Sequence, residues 1–382
     1  MNILLKFILL SFFLSIGFNF TVIDGVLYLS NILSLIISIV IIFNLTPQEL
    51  YSEKNQSIWL LIISFFVLVG MQSINGLKWL YLFFTFYSFS LFFKYNKYNL
   101  NHILLTYSLG MIVATLVSFQ FIDFAYLGSN FSTDSRGSIY QLGGFNVYGV
   151  LASYAMIILI HLQSQYRTIL FRTFSFLSLL LLLISQVSTL SRGGFLSLVF
   201  GLAFYSYFRK NLLKSTIGFL IVASILGLIL INNLDIDFIS IFNRYTFFDD
   251  ATGSGRTVLW SHIFSLMSNP FIIIFGNGAG SLDLFIPVSD GNWYSGFEST
   301  HNTYLEFFYQ FGLIGLSLFI LFLYKTKKRI DQIILYDDQI ILKTIFYVML
   351  VNMFFDSYFF ALQITALYSL FFSLFREVGH SE

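Results

Sequence analysis

Apolar runs near 20 residues recur from one end of this chain to the other, and that feature limits most of what it can fold into. Wound as a helix, a run of that length crosses a hydrocarbon core of roughly 30 Å. Inside hydrocarbon every backbone amide and carbonyl must be paired within the protein. Continuous runs therefore imply helices, whereas a barrel would need alternating strands of about ten residues. Only 10% of the 382 residues are charged and 57% are hydrophobic, where a soluble domain carries about a quarter charged. The expected fold is an all-α polytopic integral membrane protein, a single membrane domain over residues 1–382. A net charge of +1 gives no electrostatic footprint for nucleic acid, and the absence of cysteine excludes disulfides and thiolate chemistry.

About twelve spans are expected, near 3–20, 26–43, 58–75, 77–93, 103–122, 142–161, 168–187, 193–208, 212–231, 302–324, 339–354 and 357–375. The first run ends in Gly17-Phe18-Asn19-Phe20, without the small-x-small pattern of a cleaved signal, and reads as a retained span. Asn75-Gly76 and Phe355-Asp356 read as tight turns of helical hairpins. With the N-terminus in the cytoplasm, fifteen of the twenty Lys and Arg residues fall inside and only Lys78, Arg136, Arg192, Arg244 and Arg256 fall outside. The positive-inside rule thus puts both termini in the cytoplasm and the large loop 232–301 on the external face.

Four of the five outward basic residues are arginines, and none of them acts as a topology signal. The guanidinium is a fixed fork of donors that suits phosphate, while an ammonium is a flexible point charge. Arg136, Arg192, Arg244 and Arg256 over a membrane therefore suggest a lipid-linked phosphate or diphosphate. The competing reading pairs them with external acids such as Asp134, Asp249 and Asp250 in weak surface ion pairs. Asn146 reads either as the cap of the sixth span or as a ligand to the same group. Ser191-Arg192-Gly193-Gly194 opens the eighth span, where helix amides and close backbone approach favour an anion; it reads alternatively as a turn with Arg192 snorkelling to the interface. Thr252-Gly253-Ser254-Gly255-Arg256 leads into a short amphipathic helix, roughly 256–268, with Trp260 four residues after Arg256 and Pro270 ending it.

Gly276-Asn277-Gly278-Ala279-Gly280 lacks the βαβ setting of a nucleotide loop and reads as a re-entrant or interfacial turn. His301-Asn302 stands where the loop returns to the bilayer, with Tyr304, Glu306 and Tyr309 on the first turns of the next span. Histidine there reads as a proton-transfer group or as an interfacial cap. No metal site is expected: the histidines are scattered, and Asp235-Ile236-Asp237, formally a DxD metal pattern, sits at the end of a span, where acids commonly mark a membrane boundary.

Arg192-Gly193-Gly194 opening a span, the Gly255-Arg256…Trp260 helix, Gly276-Asn277-Gly278, the run His301 to Glu306 and the ending Phe311-Gly312-Leu313-Ile314-Gly315-Leu316 together resemble the O-antigen ligase and polymerase superfamily (Wzy/WaaL-like proteins). The resemblance implies a GT-C-like glycosyltransferase of the bacterial inner membrane, working on its periplasmic face without metal or other cofactor. It implies an undecaprenyl-diphosphate-linked oligosaccharide as donor, and a chain-length regulator and flippase of the same pathway as partners. By motif, Arg192 and Arg256 engage the diphosphate and His301 is the base, with Gly193, Trp260, Asn302, Tyr304 and Glu306 around them. Arg136 and Asn146 join them as binding residues, and Arg244 enters only through the arginine count. An Ile-, Phe-, Asn- and Tyr-rich chain leans toward a polymerase, with a ligase to the lipid A core as the alternative. A glycolipid flippase would be expected to place ionisable residues along the middle of its spans, which here are almost uncharged.

Overall fold

The computed structural model describes residues 12, 21–23, 27–46, 48–49, 67, 70–72, 76–95, 99–119, 145–189, 191–210, 256–282, 284–287, 293–297, 300–356 and 362–377. The expected ninth span, almost all of the first and third, the loop carrying Arg136, the Asp235–Asp237 pair and Arg244 lie outside them.

Helices dominate. They are α1 (Leu29–Asn44), α2 (Leu77–Tyr95), α3 (Leu100–Phe119), α4 (Phe145–Gln165), α5 (Ile169–Ser188), α6 (Arg192–Arg209), α7 (Arg256–Leu266), α8 (Pro270–Phe275), α9 (Thr303–Asp331), α10 (Tyr336–Phe355) and α11 (Leu362–Glu377). Two short antiparallel hairpins complete the order, β1 (Thr21–Ile23) with β2 (Leu27–Tyr28) and β3 (Leu284–Pro287) with β4 (Trp293–Phe297). In the second, Leu284 faces Phe297, Ile286 faces Tyr294 and Pro287 faces Trp293. Among the described residues, α3, α4, α5, α9 and α10 are long and apolar enough to cross a membrane. They coincide with five of the expected spans, and the protein is an all-α polytopic membrane protein.

The helices fall into two compact units. One comprises Met1–Leu33, Tyr98–Asp249 and Ile334–Asn352. Its centre is α4, a helix apolar all round and therefore buried all round. Between apolar helices in lipid the hydrophobic effect is weak, so close packing and interhelical hydrogen bonds must hold them together. Tyr107 donates to the Leu151 carbonyl at 2.9 Å, and the Thr115 and Tyr148 hydroxyls lie 2.7 Å apart, fastening α3 to α4. Asn352 of α10 donates to the Tyr154 hydroxyl at 2.8 Å and accepts from Ser197 of α6.

Where α4 crosses α6 the backbones touch through glycine. A Cβ on Gly194 would lie 2.6 Å from the Gly149 Cα, and Ser153 donates across the same crossing to the Gly194 carbonyl at 2.8 Å. Gly194→Val should therefore cost more than ordinary core overpacking, about 1–3 kcal/mol, because backbone must move. The expected result is a clear loss of monodisperse, thermally stable protein in detergent; melting like wild type would show that this crossing is slack.

The second unit comprises Ser34–Lys97, Asp250–Ile333 and Met353–Glu382. Here α2 packs on α11 through Thr85 donating to Ser369 at 3.0 Å and Ser373 donating to the Phe86 carbonyl at 3.0 Å. Trp79 places its ring edge-on to Phe307 and Phe311 of α9, at 4.9 and 4.6 Å between centroids. The residues read as a helix near 256–268 do form one, α7, but Pro270 does not merely stop it. Pro270 is the first residue of α8, with Asn269 capping through its side chain to Phe271 N at 2.9 Å. That is the position at which a missing N–H costs a helix nothing.

Helix α9 is not continuous. Gly312 sits at φ 64°, ψ −164°, and the helix breaks there. The carbonyls of Tyr309 and Gln310, which lose partners at the break, accept instead from Asn277 N and Gly278 N, both at 2.9 Å. Gly312 and Gly276, both with positive φ, interlock. A Cβ on either would stand 2.3 Å from a carbonyl oxygen, that of Ile274 or of Gln310. The glycine turn expected here, re-entrant or interfacial, thus supplies the donors that the broken helix lacks.

Candidate functional site

The site is built where the long loop returns to α9. Asn302 is the N-cap: its backbone is extended and its side chain accepts from Leu305 N at 3.0 Å. The cap is therefore Asn302 and not His301. Thr300 bridges across the intervening residue, its hydroxyl donating to the Asn302 carbonyl at 2.6 Å. His301, between them, is held at φ 51°. A non-glycine residue in this left-handed region carries strain of about 1–3 kcal/mol, which persists only where its surroundings over-determine it.

Two further contacts fix the loop. Trp260 of α7 donates its indole N–H to the Thr300 carbonyl at 2.9 Å, so this expected binding residue serves at least to hold the residue before His301. Behind it, Leu259 and Ile263 of α7 and Met267 just after that helix pack with Leu305 and Tyr309 of α9 in one apolar cluster. Arg256 occupies the first turn of α7, one turn before Trp260; its side chain and that of Arg192 lie outside what is described.

The chemically informative contact is one the sequence did not anticipate. His301 Nδ1 lies 2.9 Å from Asp356 Oδ1, with the imidazole about one third exposed and the carboxylate 13% exposed. The Asp356 carbonyl also accepts from the Thr303 hydroxyl at 3.2 Å. An ionised carboxylate can only accept, so the pairing calls for a proton on Nδ1, and in a neutral ring this leaves the lone pair on Nε2. Asp356 directly follows α10 and was read from sequence as no more than a turn residue. Its only sequence signal was an acid in an external two-residue turn between apolar runs.

The remaining expected residues have defined places. Tyr304 lies half-buried on the first turn of α9 with its ring 6.0 Å from that of Phe319. Glu306 is buried, 2% exposed, and accepts from Gln310 at 3.3 Å. Gln310 in turn accepts from the Trp79 indole at 2.8 Å and from Gly280 N at 2.9 Å. Glu306 thus joins a network running toward the glycine turn, while His301 is held by Asp356. In the other unit, Asn146 does not cap α4, which begins a residue earlier at Phe145. Asn146 accepts instead from the Ser191 hydroxyl at 3.0 Å, and Ser191 caps α6 by accepting from Gly194 N at 3.1 Å. Arg192 and Gly193 are the first two residues of that helix, and the Gly193 carbonyl accepts from Ser197 at 2.6 Å. Arg136 and Arg244 lie outside the described residues. Among the described residues no cluster of three or more His, Cys, Asp or Glu side chains is placed to hold a metal ion.

A family model described as O-antigen ligase matches residues 175–320 of the chain. The matched stretch runs through Arg192, Gly193, Arg244, Arg256, Trp260 and the His301–Glu306 run, and leaves out Arg136, Asn146 and Asp356. It supports the O-antigen ligase and polymerase superfamily, and with it an enzyme of ligase or polymerase type acting on lipid-linked glycans at a membrane. No curated protein matches the chain.

Proposed function

We propose that this chain of the O-antigen ligase and polymerase superfamily joins undecaprenyl-diphosphate-linked oligosaccharide repeats into surface polysaccharide on the periplasmic face of a bacterial inner membrane. The observation that carries the reading is the His301–Asp356 pair at the loop-to-helix junction. An acceptor sugar hydroxyl attacks the anomeric carbon of the donor. The bond from that carbon to the diphosphate breaks, and polyprenyl diphosphate leaves with the electron pair. His301 Nε2 takes the hydroxyl proton while Asp356 holds the ring in the required tautomer and stabilises the imidazolium that forms. One displacement inverts the anomeric configuration. Arginine charge at the leaving diphosphate does the work for which a divalent metal is otherwise used. Arg256 and Arg192 take that role by motif.

The description of the matched family favours a second reading, transfer of the finished glycan to a lipid A core. Both readings use one donor and one chemistry and differ in acceptor. A lipopolysaccharide gel of a deletion strain separates them. Core capped by a single repeat indicates a lost polymerase, as proposed. Uncapped core with accumulated lipid-linked polymer indicates a lost ligase, and an unchanged profile rejects both.

Asp356→Asn tests the pair itself. A hydrogen bond to a charged group contributes about 1.5–3 kcal/mol, so turnover should fall by about 10- to 100-fold with donor affinity little changed. Wild-type turnover in Asp356→Asn would reduce the pair to a structural contact.

A further inference from the structure

We infer that α8 lies within bilayer hydrocarbon, with Phe271, Ile274 and Phe275 turned to lipid acyl chains, although it belongs to the large loop between two expected spans. This goes beyond the catalytic reading and rests on α9 crossing a bilayer with His301 at its boundary, where the sequence places it.

Depth follows from helix geometry. Gly312 is eleven residues beyond His301. At 1.5 Å per residue it lies roughly 16 Å further along α9, about half of a hydrocarbon core of about 30 Å. The end of α8 meets α9 at that level, since Gly276 and Gly312 interlock and Asn277 N donates to the Tyr309 carbonyl at 2.9 Å. A segment that starts and ends outside the membrane therefore reaches about its middle.

The turn is also built for a medium without water. Gly276 N donates to Ile272 O at 2.7 Å, Asn277 N to Tyr309 O and Gly278 N to Gln310 O at 2.9 Å. Gly280 N donates to Gln310 Oε1 at 2.9 Å, and the Ala279 carbonyl accepts from Gln72 N at 2.8 Å. Non-helical backbone at membrane depth is tolerated only where protein partners it in this way.

The surface agrees with the depth. α8 is Pro-Phe-Ile-Ile-Ile-Phe. Ile272 and Ile273 turn inward onto the apolar cluster of α7 and α9, while Phe271, Ile274 and Phe275 are 65%, 42% and 53% exposed. Leu313, Ile314 and Leu318 of α9 are exposed as well, on a helix apolar enough to span. The apolar face of α8 thus continues a surface that already meets lipid, and bilayer hydrocarbon is its occupant.

The chain has no cysteine, so single cysteines can be placed without background. Phe271→Cys, Ile274→Cys and Phe275→Cys would each carry a nitroxide in the full chain reconstituted in phosphatidylcholine vesicles. Leu318→Cys serves as the lipid reference and Gln332→Cys, just past α9, as the aqueous one. Collision with oxygen should exceed collision with a water-soluble nickel chelate at the three α8 sites, giving the same sign of depth parameter as Leu318→Cys and the opposite sign to Gln332→Cys. Because these side chains are exposed, their replacement leaves the core intact, and the three positions report independently. Nickel collision at the level of Gln332→Cys would overturn the inference. Protection from both reagents would overturn it too, by putting protein and not lipid over α8.

Discussion

His301→Ala is expected to abolish turnover almost completely while leaving the donor bound. Loss of a general base typically costs about 10²–10⁴-fold in rate, and the base acts on the acceptor hydroxyl, not on the diphosphate that anchors the donor. The residue sits in strained backbone at φ 51°, between two positions whose side chains bond to nearby backbone, so the substitution removes an imidazole and its partner contact without removing the cap of α9. Alanine gains nothing from a left-handed backbone, and some stability will go with the change. His301→Asn, which tolerates that conformation better, separates the two effects. It should remain as stable as wild type and stay inactive. Donor binding and turnover measured side by side decide the matter, and a His301→Ala protein that turns over normally would remove the base from this position.

The second large effect is expected at arginine. If Arg256 and Arg192 each contribute a fork of donors to a diphosphate, lysine keeps the charge but loses the fork. Charge-assisted contacts to a developing anion are worth about 2–4 kcal/mol, or roughly 30- to 1000-fold in rate. Arg256→Lys and Arg192→Lys should therefore both be severely impaired, with donor binding weakened as well as turnover. That double loss distinguishes them from His301→Ala. Each protein must first show wild-type amounts in the membrane, because an arginine paired only with a loop acid would lower activity through instability. Lysine variants that bind and turn over like wild type would make these arginines ordinary surface charges.

The parts of this fold legible in sequence are those a single helix announces by itself. The five membrane-length helices were readable because twenty apolar residues have few other fates. Their ends drifted where composition and helix part company. The run read as 302–324 belongs to a helix that continues through Lys325 to Asp331, since a helix leaving lipid does not need to unwind. What sequence concealed were relations between distant segments. Gly312 inside an apolar run looks like any tolerated glycine; its positive φ is required only because Gly276, far back in the loop, must press against it. Asp356 looked like a turn residue because a lone acid carries no record of its partner, and only the placement of α9 beside the end of α10 brings it to His301. Trp260 stood out by its motif and its place one turn after Arg256, but its bond to the Thr300 carbonyl could not be read from sequence.

The most direct measurement uses the purified chain in liposomes with polyprenyl-diphosphate-linked repeat units, alone and with lipid A core as acceptor. It counts glycosidic bonds formed and polyprenyl diphosphate released. Equal numbers of the two are expected in wild type, with bond formation already on the repeat unit alone and neither product above background with His301→Ala. Release without bond formation, no reaction with either acceptor, or equal yields from wild type and His301→Ala would contradict the proposed mechanism.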